Sequence, residues 1–538
     1  MPLGPENTLH PDSVEGARTT VAPTSLPAPS ASRVSLQATD LPLLVIDRAN
    51  LPATARALAK HLTSPSNLFE RGPHVVKIVH APSGYRSEPL NVHSTVIEAH
   101  AVCRPVEERI VRGELIQEPI TLPNRIAQLF LNLNDQRGLP TLQGICAAPL
   151  LTDDGSIRCE SGYDRVTGVW CVGVDMPPLL ERPTLEDAQE SLRFIRSTFA
   201  TFPFADAVRV ASNVGSVVDL AKGPAVDETN FVVGLMTAVC RPSLPLAPAL
   251  LIRAPQLSGS GTGKGLLVHA IAQIAFGQAP TAFTSSGSRQ ELGKRIESAL
   301  IESGPIVFLD NCNAEQLRSN VLAQVITESA VTTRLLGQTK MVPLITNAFI
   351  ALTGNAVRIS EDLARRFLVV ELDAKCENPE QRPFDEDFSD SIKEHRVDLL
   401  VAVLTIWRWG RQTSLKPGMP LGSFERWALW CRDPLLALGC VDPVQRAADI
   451  KSEDPLRQGI FEFLQAWHAH HGSKPIKLRD LDHMVSQLIH GSRQKLATLV
   501  RDLDGVRVGG FVMSISKSKS NWGAADYTVH RDHEMTAH

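Results

Sequence analysis

The chain has 538 residues, 54 Lys and Arg against 58 Asp and Glu, and a 43% hydrophobic share. Its length predicts roughly three domains with ample core, and a net charge of −4 leaves no global field for nucleic acid, so any basic surface must be local. The nine cysteines form no Cys-x-x-Cys pair, and no run approaches the ~18 apolar residues of a membrane span. Zinc ribbons, a disulfide framework and a membrane partner are thereby set aside, and the expectation is a soluble protein of the reducing cytoplasm.

Residues 1–39 are rich in Pro, Ser, Thr and Ala and bury too little to offset chain entropy, which predicts a disordered tail. A mixed α/β domain is expected over 40–225. It opens on a strand near Leu41–Asp47 and a helix over Leu51–Leu62, with a further strand near Val75–Val79. Between Pro149 and Trp170, Asp-Gly and Thr-Gly pairs predict short strands and turns, and turn chemistry accounts for the polar residues there. Thr184–Thr201 predicts a helix with an acidic first turn, and a boundary is placed in Ala221–Asn230.

The central region, 230–445, predicts alternating strands and helices. An apolar strand at Ala249–Ile252 runs into Ser258-Gly259-Ser260-Gly261-Thr262-Gly263-Lys264-Gly265, and a helix follows. Glycines let backbone N–H groups converge on an anion, a helix N-terminus adds partial positive charge, and a lysine reaches the outer phosphates. Ser258 replaces the first glycine of G-x-x-x-x-G-K-[ST], and Gly265 replaces the hydroxyl that normally holds Mg²⁺. Downstream, Pro305–Asn311 is an apolar strand ending in a carboxylate, Asp310, the arrangement that holds Mg²⁺ or its water. A third core strand, Ala348–Asn355, ends in an amide suited to touching a terminal phosphate or orienting water. Arg365 and Arg366 enter a fourth strand, either as solvated charges or as an arginine finger acting on ATP held by a neighbouring subunit. Thr333–Leu344 predicts a hairpin with Lys340 near its tip.

These parts, in this order, resemble the AAA+ ATPase domain of superfamily 3 helicases, and more closely that of primase–helicases from phages, plasmids and integrated elements. The likeness covers about 232–445. It implies an α/β P-loop core with ATP and Mg²⁺ as cofactors, a homo-oligomeric ring, and single-stranded DNA in the ring channel. By it, Ser260–Gly265 hold phosphate, Asp310 handles Mg²⁺, Asn355 is the sensor, Arg365 or Arg366 is the finger, and Lys340 grips DNA. Gly265, and Asn311 where a catalytic glutamate is common, are departures that bear on hydrolysis rate; Glu328 is a candidate substitute.

Residues 455–530 predict helices at 455–470, 477–489 and 492–503, then strands near 506–508, 511–517 and 522–529, the pattern of a winged helix. From Lys474 to Arg531 ten Lys and Arg face five Asp. Arg493 and Lys495 open the third helix, from which a recognition helix reaches duplex DNA; the alternative is a module that docks protein. The expected work is ATP-driven unwinding or remodelling of DNA in replication of a mobile element. A nucleotide-controlled DNA-binding regulator with little turnover is the second reading.

Overall fold

The computed structural model describes residues 41–531 apart from 64–66, 82–83, 214, 257–258, 285–288, 303, 314–316, 318, 335–340, 346, 382–387, 447–449, 451–453, 490–492 and 517–524. The tail expected at 1–39, Ser258 and Lys340 lie outside the described residues.

The first region runs β1 (Leu43–Val45), α1 (Leu51–Thr63), β2 (Leu68–Arg71), β3 (His74–Ala81), β4 (Gly84–Pro89), α2 (Val92–Val102), β5 (Arg104–Val111), β6 (Glu114–Pro119) and α3 (Asn124–Leu131). Its strands form two sheets, ordered β1-β5-β6 and β2-β3-β4. Helix α1 buries Ala55, Leu58, Ala59 and Leu62, one apolar stripe at helical spacing, in a core shared with Ile126 and Phe130 of α3.

Short strands follow: β7 (Gly144–Cys146), β8 (Leu150–Leu151), β9 (Ile157–Arg158), β10 (Gly162–Asp164) and β11 (Val169–Cys171). The Asp164 carboxylate accepts the Thr167 N–H at 2.8 Å in the turn between β10 and β11, the local role its residue type predicts. After them come α4 (Leu185–Thr198), the hairpin β12 (Arg209–Ser212) and β13 (Gly215–Val218), and helix α5 (Val226–Cys240), buried from Asp227 onward.

One hydrophobic core runs across the boundary expected at 221–230. One core spans Leu44–Leu139 and the next Ala147–Ile450, so 221–230 separates no two cores. The physical reason lies in α4 and the turn after it. Ala188, Leu192 and Ile195 are buried in the larger core, and Phe199 packs at a tilt against Phe231 of α5 with ring centroids 4.5 Å apart. Arg196 makes a two-pronged ion pair with Glu228 at 2.7 and 3.1 Å, both side chains buried. Removing one partner of such a pair costs about 3–5 kcal/mol, because it leaves a buried charge alone.

At the centre lies a five-stranded parallel sheet built from β14 (Ala249–Ala254), β15 (Ala282–Thr284), β16 (Ile306–Asp310), β19 (Phe349–Asn355) and β20 (Phe367–Glu371). Helices α6 (Lys264–Phe276), α7 (Arg289–Ile301) and α8 (Asn320–Thr327) connect them, with the antiparallel pair β17 (Ala330–Arg334) and β18 (Met341–Ile345) before β19 and α9 (Glu361–Ala364) after it. The strand order is β15-β16-β19-β14-β20. After β14 the chain crosses to the far edge and works back, then passes to the other side of β14. This reversal leaves a crevice at the carboxyl end of β14, where open α/β sheets bind ligands. Strand β14 is buried along its whole length, as a central parallel strand must be.

Arg71, at the end of β2, joins the first region to this sheet. Its guanidinium donates to the carbonyls of Leu300 and Ile301 at the end of α7 and to those of Leu142 and Gln143. A cation at a helix C-terminus satisfies the last carbonyls and complements the dipole.

Helices α10 (Phe388–Glu394) and α11 (Arg396–Gln412) and the Trp427–Trp430 turn complete the larger core, with Trp407, Trp427 and Trp430 fully buried. A separate core, around Phe463, Trp467, Val500 and Met513, holds the last region. Its elements are helices Pro455–His471, His483–Gln487 and Arg493–Asp502 and a sheet of Arg507–Val508, Phe511–Ser516 and Asp526–Arg531. The helix expected at 477–489 is shorter, because Leu481 is extended and Asp482 caps a new start by accepting the Met484 N–H at 2.7 Å. The last strand begins later than expected, at Asp526.

Candidate functional site

The carboxyl ends of β14, β16 and β19 bring together the loop after Ala254, Asp310 and Asn355. Gly261 and Gly263 take φ of 72° and 95°, the left-handed region that glycine enters without strain, and Gly263 caps α6. Thr262 is fully buried and donates to the Gly259 carbonyl at 3.0 Å, so its hydroxyl serves the loop's own shape. Ser260 and Gly261 are exposed. Lys264, first residue of α6, folds over the loop, its Nζ 2.5 Å from the Gly259 carbonyl. Burial pushes the Lys264 ammonium below its ordinary pKa, and the nearby charge of Asp310 pulls it back up. Among the described residues beyond its chain neighbours and its own helix backbone, no atom lies within 4 Å of where a Cβ on Gly265 would stand.

Asp310 closes β16. Its Oδ1 accepts the Thr353 hydroxyl and the Asn311 N–H at 3.0 Å, and its Oδ2 accepts the Asn311 amide at 3.3 Å. Asn311 sits at φ 55°, a left-handed position that Asn tolerates better than Glu. Next along, the Cys312 N–H donates to the Thr353 carbonyl at 2.8 Å, and Asn313 Oδ1 accepts the Asn355 N–H at 2.9 Å. Residues 311–313 thus wrap the end of β19. Gly354 permits this, since a Cβ there would stand 2.9 Å from the Cys312 carbonyl oxygen.

Asn355 Oδ1 is buried without a hydrogen-bond partner among the described residues. It lies against Gly259, and such an acceptor is costly to bury unless a ligand or water donates to it. The loop, the Asp310 carboxylate and this amide suit a phosphate chain and a divalent cation, which binds through one or two carboxylates plus phosphate and water. Two neighbours were invisible in the sequence. Thr353 looked like an ordinary core-strand residue, and Glu380 lies far along the chain, yet its backbone N and Cα fall 2.7 Å from a Cβ placed on Gly261. A cavity of 230 Å³ opens beside Pro255, lined among others by Arg253, Arg358, Glu371 and Asp373.

The other expected residues lie apart from this cluster. Arg365 is exposed and Arg366 half-buried, at the start of β20, where the Arg366 carbonyl accepts the Ala249 N–H at 2.9 Å. That is the opposite end of the sheet from the loop, about 17 Å away at ~3.3 Å per strand residue. Strands β17 and β18 pair antiparallel as the expected hairpin requires, and Lys340 between them is outside the described residues. Glu328 caps α8 and is exposed. Arg493 begins the helix Arg493–Asp502, on which Lys495 is exposed. Among the described residues no helix is long and apolar enough to cross a membrane.

No protein-family model and no curated protein matches this chain. Among solved structures it is similar to the C-terminal region of NrS-1 at 11% identity and TM-score 0.34, over 84% of this chain and 96% of that one. It is similar to SCCmec type IV Cch, described as an active helicase, at 12% identity and TM-score 0.34, over 87% and 99%. A third likeness is to the JCV helicase, at 11% identity and TM-score 0.20, over 53% and 73%.

Proposed function

We propose that this chain is an ATP-hydrolysing AAA+ P-loop protein that unwinds or remodels DNA, with the site above as its nucleotide site. The observation that carries the reading is the convergence of a glycine loop with Lys264, the Asp310 carboxylate and the orphaned Asn355 amide at one crevice of a parallel sheet. ATP would place its phosphates along Gly259–Gly265, with Lys264 at the outer ones. Mg²⁺ would be held from Asp310, and when bound it supplies charge neutralisation on the phosphates. Asn355 holds an acceptor where the hydrogen of an attacking water can be received.

The placement of Arg365 and Arg366 supports action in trans. Either arginine is too far from the loop of its own subunit, so a finger role requires side-by-side copies, as in a ring. A Lys264→Ala protein mixed with an Arg365/Arg366 double variant should then regain turnover at mixed interfaces. Lys340 in the ring channel, the winged helix at 455–530 with Arg493 and Lys495 on duplex DNA, and work in replication of a mobile element complete the reading. They rest on the sequence resemblance and on the local excess of basic residues.

Turnover measured with and without single-stranded DNA tests the reading. Stimulation by DNA supports it. Tight nucleotide and DNA binding without turnover would leave a nucleotide-controlled regulator, for which Gly265 and the turned-back Asn311 leave room.

A further inference from the structure

Asp310 has two chemically distinct oxygens. Oδ1 is held by two donors, the Thr353 hydroxyl and the Asn311 N–H at 3.0 Å, whereas Oδ2 has only the longer 3.3 Å contact from the Asn311 amide among the described residues. Thr353 is 1% exposed, and its hydroxyl oxygen also accepts the Asn311 N–H at 3.3 Å. Its carbonyl meanwhile holds the Cys312 N–H at 2.8 Å. One residue therefore grips 310, 311 and 312, and two positions further along the same strand stands Asn355. A β-branched side chain has few rotamers, so the hydroxyl is presented in a fixed direction.

We propose that Thr353 is a positioning residue for the divalent cation: it pins Asp310 through Oδ1 so that Oδ2 is the oxygen offered to the metal. The inference rests on the nucleotide reading above. It explains how a chain with glycine at 265 keeps an ordered metal carboxylate. The Thr262 hydroxyl is committed to the Gly259 carbonyl, whereas the Thr353 hydroxyl on β19 donates to Asp310. A ligating carboxylate that loses such an outer partner typically loses about 10–100-fold in metal affinity. A hydroxyl buried only for packing would change stability and leave magnesium dependence untouched.

The test is equilibrium binding of a fluorescent ATP analogue to the full chain, titrated with Mg²⁺, for the wild type, Thr353→Val and Thr353→Ser. Thermal melts run in parallel. The expected result is that Thr353→Val keeps its magnesium-free nucleotide affinity, carried by Lys264 and the loop. It should need about 10-fold or more Mg²⁺ for its half-maximal effect. Thr353→Ser, which keeps the hydroxyl, should fall near the wild type even if both variants melt lower. A wild-type magnesium midpoint in Thr353→Val, or a Thr353→Ser as defective as Thr353→Val, overturns the role while leaving the nucleotide reading standing. A wild type whose nucleotide binding ignores Mg²⁺ overturns the role of Thr353 alone, and a wild type that does not bind the nucleotide overturns both.

Discussion

Asn355 closes directly onto Gly259. A Cβ on residue 259 would stand 2.6 Å from Asn355 Oδ1 and 2.1 Å from the Pro255 carbonyl. The carbonyl belongs to the backbone and cannot swing aside, so any side chain at 259 must move the loop. Gly259→Ala should therefore displace both loop and amide. Overpacking of this kind costs about 1–3 kcal/mol, and nucleotide affinity should fall together with melting temperature. Wild-type nucleotide affinity in this variant would show that loop and amide are independent.

Gly265 presents the opposite case, with open space at its Cβ. Serine fits there without strain and, near the start of α6, replaces the poorest non-proline helix former by a better one. Gly265→Ser should melt no lower than the wild type and reach half-maximal nucleotide binding at less Mg²⁺. A higher magnesium requirement would mean that residue 265 does not face the cation.

What could be read from the sequence was local. The apolar strand, glycine loop and helix at Ala249–Phe276 carry their pattern within a short window, and so do the strands ending at Asp310 and Asn355. Contacts between distant segments could not be read this way. No local pattern reports that Thr353 bonds Asp310, that Glu380 packs on Gly261, or that α4 shares a core with α11. The same holds at 221–230: Ala221–Lys222-Gly223 looks like a linker, and the core that runs across it is built from elements on either side.

The boundary expected at 221–230 is testable by truncation. A fragment of 226–445 lacks Leu192, Ile195, Phe199, Phe202 and Phe204, all buried in the larger core. Deleting one such large side chain costs about 2–5 kcal/mol, comparable with the ~5–15 kcal/mol stability of a whole domain. The fragment should be insoluble or lack a cooperative melt, whereas 140–454 should melt cooperatively. A well-folded 226–445 fragment would restore the boundary at 221–230.

Asp227 makes a prediction about pH. Its carboxyl is buried, and burial pushes its pKa from 3.8 up to about 7, with Arg446 opposing the rise and Asp206 adding to it. Between those values the native state holds a proton that the unfolded chain has released. The stability this contributes is full below about pH 4 and is lost as pH rises through about 7. Asp227→Asn cannot ionise, and its amide oxygen still accepts the Glu371 N–H. Its melting temperature relative to the wild type should rise from pH 5 to pH 8. A difference that stays constant over that range would contradict a raised pKa.

The central claim is that Lys264 and its loop bind the phosphates of ATP, and calorimetric titration of Mg–ATP into the wild type and Lys264→Ala tests it most directly. Far-UV circular dichroism controls for folding. The account predicts saturable binding by the wild type and roughly 10–100-fold weaker binding by the variant, as expected for loss of a charge-assisted hydrogen bond worth about 1.5–3 kcal/mol. Equal affinity in two equally folded proteins would contradict it.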